Sequence, residues 1–84
     1  MLLIVQITYE GLVVMLLSLA PIGEINQVKA IWVEDKIKTI LKEVGITEDC
    51  EIFVLLKPFD DALIVGVKDK RIVISEELAR KIIV

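Results

Sequence analysis

Eighty-four residues, 56% of them hydrophobic, carry a net charge of −3, one cysteine and no histidine. A lone cysteine cannot close an internal disulfide, and without histidine the chain lacks the usual ligands of a tetrahedral zinc site. A negative net charge gives no electrostatic ground for nucleic-acid binding, which needs clustered Lys and Arg.

The length admits one domain, residues 1–84, which buries only about 60–65% of its unfolded surface. A dense aliphatic core, partner chains or both must therefore stabilise it. The Ile/Val/Leu excess with a Lys/Glu surface fits a thermophilic source.

Charge is spread unevenly. Residues 1–23 hold a single charged side chain, Glu10, and sixteen apolar ones. Three readings compete for residues 1–22. A transmembrane helix has the length, but Glu10-Gly11 falls near its middle, where an ionised carboxylate costs about 2.5–3.5 kcal/mol. A buried soluble helix is a second. The favoured reading is an apolar β-hairpin, with Leu2 to Thr8 and Leu12 to Leu17 as strands and Glu10-Gly11 at a tip in water. A secretory signal does not fit, because its basic n-region is missing.

Pro21-Ile22-Gly23 ends the apolar block. Glu24 to Lys29 reads as a loop or irregular strand, and Ile31-Trp32-Val33 returns to the core. Val33, Ile37, Ile40, Leu41 and Val44 recur at helical spacing, which predicts an amphipathic helix over 34–44. Glu34 and Lys38 form an i,i+4 pair, and Gly45 suits a left-handed C-terminal position. A central strand follows over 50–57, broken by Pro58-Phe59-Asp60-Asp61. Ala62 to Val67 and Arg71 to Ile74 form two further strands around Lys68-Asp69-Lys70. Ser75 then caps a final helix, with Leu78, Ala79, Ile82 and Ile83 on its apolar face. Residues 33–84 thus hold helix plus sheet. The fold class is α+β: a β-hairpin, an amphipathic helix, three further strands in an antiparallel or mixed sheet, and a short C-terminal helix.

Nothing in the chain assembles a catalytic centre, and no cofactor or metal is expected. Asp60-Asp61, Glu48-Asp49-Glu51 and Glu76-Glu77 sit in turns or at a helix start, where carboxylates are solvated or act as caps. Cys50 has acidic neighbours and no histidine to activate it. Ser18 and Ser75 lack both a base and a nucleophile elbow. Trp32 is either an interface anchor or a core residue, and a lone Trp before an amphipathic helix favours the core. The apolar surplus and open strand edges point to self-association as a homo-oligomer, or to a protein partner.

From Val33 to Ile82 the order is a helix ending in Gly45, the strand Glu51 to Leu56, then Asp61-Ala62-Leu63-Ile64-Val65-Gly66, then Arg71-Ile72-Val73-Ile74-Ser75-Glu76-Glu77-Leu78. This order resembles the stretch upstream of the zinc motif in HtpX-like membrane metallopeptidases. Asp61 stands where that family has Asn, and Leu63 where it has Phe. The resemblance implies that residues 62–66 flank a cleft and that the apolar start is membrane-associated. It transfers no catalytic residue, because the H-E-x-x-H helix is absent. The candidate interface residues are Trp32, Leu63 and Val65.

The reading is therefore a non-catalytic, cytoplasmic interaction or assembly module. The alternatives are the N-terminal part of a zinc metallopeptidase, and a small membrane-anchored protein.

Overall fold

The apolar start of the chain pairs with itself. In the computed structural model, which describes residues 7–9 and 12–84 with side chains from Met15 onward, β1 (Ile7–Tyr9) and β2 (Leu12–Val14) run antiparallel. Ile7 lies opposite Val14 and Tyr9 opposite Leu12. The expected tip, Glu10-Gly11, and residues 2–6 of the expected first strand lie outside the described residues. The second strand is shorter than its apolar run predicts: Leu17–Leu19 forms a 3-10 turn that buries Leu17, and Ala20 beyond it is also buried. Among the described residues, no helix is long and apolar enough to cross a membrane.

Two short strands follow, β3 (Ile25–Gln27) and β4 (Ala30–Ile31). Helix α1 (Asp35–Glu43) forms where the periodicity places it, with Glu34 as N-cap. Its end is a Schellman motif: the Ile46 amide donates to the Leu41 carbonyl (2.9 Å) and the Gly45 amide to the Lys42 carbonyl (3.0 Å). Gly45 has φ +95°, a left-handed conformation that costs glycine least. Leu41 and Ile46 are both buried, and the apolar contact that accompanies such a motif joins the core. The predicted stripe holds for Ile37, Leu41 and Val44 but not for Ile40, which is exposed. Lys38 also departs from expectation. Glu34 is the extended N-cap rather than part of the helix surface, and Lys Nζ reaches Glu48 at 3.1 Å instead.

The main sheet is β5 (Glu51–Phe59), β6 (Ala62–Val67) and β7 (Lys70–Ser75) with β3, antiparallel throughout in the order β3-β5-β6-β7. β5 is interior, as its apolar run implies. It continues through Pro58, contrary to the predicted break. Among the described residues, β3 pairs only with residues 51–53, so Pro58 lies beyond that pairing, where no described strand on that side of β5 misses its amide.

The last segment corrects the reading of a helix to the end of the chain. Ser75 does cap α2 (Glu76–Ala79), its hydroxyl accepting from the Leu78 amide at 3.1 Å. The helix then stops after four residues, and β8 (Ile82–Ile83) pairs with β4. Met15 and Val84 exchange backbone hydrogen bonds of 2.9 and 2.8 Å, which joins the end of the first hairpin to β8. Ile82, Ile83 and Val84 are β-branched, suited to a strand, and all three are buried.

Among the described residues, the buried core is wholly aliphatic. Leu17, Ile46, Ile52, Leu63 and Ile82 are its largest fully buried side chains, each worth about 1.5–3 kcal/mol of transfer free energy. No polar or charged residue is buried among the described ones.

Candidate docking surface

Strand alternation sorts the sheet into two faces. On β6, Leu63, Val65 and Val67 point inward and are at most 2% exposed. Their register partners Ile74, Ile72 and Val54 join the same cluster, as does Ala79 of α2.

The opposite parity faces outward. Ile64 lies between Leu56 and Val73, Gly66 between Phe53 and Arg71, and Ala62 between Phe59 and Ser75. Ile25 of β3 extends the row beside Phe53. This face is apolar across three strands: Ile25 is 63% exposed, Leu56 50%, Phe59 71% and Val73 68%. Phe53 and Ile64 between them are half-buried.

A regular strand would not produce this face. Val54 and Leu56 are two residues apart and should point the same way, yet Val54 is buried opposite Val65 and Leu56 is exposed opposite Ile64. The register shift between them inserts an extra residue and reverses the parity, as a β-bulge does. A second shift after Leu56 sets Phe59 opposite Ala62, with Asp60-Asp61 as the turn. Contiguous exposed apolar surface of this kind marks interaction sites on small soluble domains.

The expected interface residues do not come together. Leu63 and Val65 are interior and offer nothing to a partner. Trp32 is on the surface, 63% exposed, not in the core that its position before α1 favours. Ile31 takes the inward position of β4, and period-two alternation turns the next side chain out. The Trp32 amide donates to the Lys81 carbonyl at 2.7 Å, and Trp32 lines an open groove with Ile37, Leu78 and Lys81. Trp32 is thus separate from the sheet face.

The polar candidates take structural roles. Ser75 is a cap, Glu76 pairs with Arg80 at 3.0 Å, and Glu48 pairs with Lys38. The Ser18 carbonyl accepts from Lys57 Nζ at 3.0 Å. Cys50 is a free, half-buried thiol packed against the core. Among the described residues, no three His, Cys, Asp or Glu side chains are grouped to hold a metal ion.

The fold and its described residues define a small non-catalytic α+β domain. Its sequence matches the family model described as FeoA domain over residues 15–84, and the chain belongs to the FeoA family, whose members are small non-enzymatic proteins. No curated protein matches it. Among solved structures, it is similar to an iron uptake regulatory protein (FeoA), with TM-score 0.75 and 26% identity over 83% of this chain and 93% of that one. It is also similar to a FeoA protein from Chlorobium tepidum, with TM-score 0.74 and 22% identity over 81% of this chain and 66% of that one. The same fold recurs in a manganese-dependent transcriptional repressor, with TM-score 0.73 and 18% identity over 84% of this chain and 40% of that longer one.

These matches overturn the metallopeptidase resemblance. The FeoA model covers the whole stretch on which that resemblance rested. Ile/Val strands followed by a capped helix align readily with unrelated hairpins, and here the last residues turn back as β8 instead of leading a helix toward a zinc motif.

Proposed function

We propose that this chain is a non-catalytic regulatory component of iron uptake, acting in the cytoplasm by docking a protein partner. The observation that carries the docking is the apolar outer face of the main sheet, with Leu56, Phe59 and Val73 half or more exposed. Association through that face would remove apolar surface from water at about 25 cal/mol per Å². The iron-uptake context is supported by the 26% identical FeoA structure, matched over nearly its full length. The finer reading is that partners include copies of the same chain, through open strand edges.

The test replaces Leu56 and Phe59 by Glu in cells that depend on this chain for iron accumulation. Both side chains are at least half exposed, so the variant should fold while the face becomes polar. Iron uptake falling to the level of cells lacking the chain supports the reading. A folded variant with wild-type uptake overturns it.

A further inference from the structure

The two outer strands of the main sheet are built differently. β3 has three residues, so it offers little edge. β7 has six residues in unbroken register with β6, without proline or bulge. Among the described residues, no backbone hydrogen bond other than its β6 ladder reaches β7 from Arg71 to Ile74. Edge strands are normally blunted by shortness, proline, bulges or charge. In this sheet the proline and the bulges lie in β5, an interior strand.

Charge along β7 is polarised. Lys68, Lys70 and Arg71 stand at its start, with Asp69 the one acid among them, and Ile72-Val73-Ile74 is its apolar middle. Glu76 and Glu77 follow its end. Asp60 and Asp61 lie beside that same end, because Ala62 is opposite Ser75 and the Asp61 carbonyl accepts from the Glu76 amide at 2.9 Å. Among the described residues, Lys70 and Arg71 form no ion pair, since all those found involve Lys38, Arg80 and Lys81. Two copies of a strand that is basic at one end and acidic at the other attract when antiparallel and repel when parallel.

We propose that a second copy of this chain pairs antiparallel along β7, with Val73 opposite Val73 on a two-fold axis. The proposal rests on the reading of this chain as one that acts by association, and it names the partner at one edge. Side chains alternate with period two, so outward residues must meet outward residues. Centring on Val73 sets Ile72 against Ile74 on the inner side and Arg71 against Ser75 on the outer side. It also brings Lys70 to Glu76. Centring on Ile72 instead would set Arg71 against Val73 and Lys70 against Ile74, and the charge match would be lost. The pairing satisfies the free edge and joins two apolar outer faces into one. It is isologous, so it closes at two copies.

Sedimentation equilibrium in detergent-free buffer tests this. The wild-type chain should have twice its monomer mass of 9.4 kDa. K70E/R71E makes both ends of β7 acidic, and E76K/E77K combined with D60N/D61N makes both ends basic. Each alone should sediment as a monomer, and an equimolar mixture should form a heterodimer, with dimer affinity changed at least ~10-fold by each reversal. Because E76K/E77K removes the pairs with Arg80 and Lys81 at α2, V73K provides a second variant. Val73 is 68% exposed, so its replacement leaves the monomer folded and sets two ammonium groups face to face in the dimer. A monomeric wild type, a dimeric K70E/R71E or a dimeric V73K overturns the pairing. The Leu56/Phe59 variant should remain dimeric in this assay. A monomeric wild type therefore removes the β7 pairing alone, whereas the docking reading falls only with the uptake assay.

Discussion

The ring of Phe53 lies directly over Gly66 on the outer face: a Cβ built on Gly66 would stand 2.4 Å from Phe53 Cζ. The two are register partners on β5 and β6, so the absence of a side chain at 66 is what lets the ring fold down onto the sheet. Gly66→Ala should drive the ring outward and cost about 1–3 kcal/mol in denaturant unfolding. Stability within a few tenths of wild type would show that the ring moves freely.

Ile82 is fully buried in β8. Ile82→Ala should destabilise by about 2–5 kcal/mol. Because alanine is a better helix former and a worse strand former than isoleucine, a small effect would favour a helical end for the chain instead.

Ser75 links β7 to α2 through one hydrogen bond, from the Leu78 amide. Ser75→Ala should cost about 0.5–2 kcal/mol, and Ser75→Asp should restore most of it, since either oxygen accepts from an N-terminal amide. Equal melting of wild type and Ser75→Ala would mean that water replaces the cap.

The Lys38–Glu48 pair should contribute little. Both side chains are roughly half exposed, and exposed pairs are worth about 0.2–1 kcal/mol, less at high salt. A double-mutant cycle with K38A and E48A measures the coupling directly. A coupling well above that range would mean that the pair also orders the turn between α1 and β5.

The parts of the fold legible in the sequence are those with local causes. Helix α1 announces itself through the spacing of Ile37, Leu41 and Val44 and through Gly45, whose left-handed φ ends it. Ser75 is recognisable as a cap because its acceptor and amide are three residues apart. The two-residue strands β4 and β8 have weaker local causes. Ile82 and Ile83 are β-branched but continue the helical spacing of Leu78 and Ala79, and the long-range pairings with Ala30, Ile31 and Met15 decide against a helix.

The candidate site is less legible still. Alternation along β6 separates Leu63 and Val65 from Ile64, but which set faces inward depends on where α2 and the 3-10 turn pack. Leu56 reaches the outer face only because a bulge reverses its parity, and a bulge in an apolar run leaves no mark in the sequence. A lone Trp before an amphipathic helix favours the core, but the neighbouring Ile31 fills the inward position and Trp32 turns out.

The most direct test of the central claim is the rate of iron accumulation in cells whose only copy of this chain carries Glu at positions 56 and 59. The docking account predicts a folded protein and uptake no faster than in cells without the chain. A folded variant that sustains wild-type uptake would contradict it.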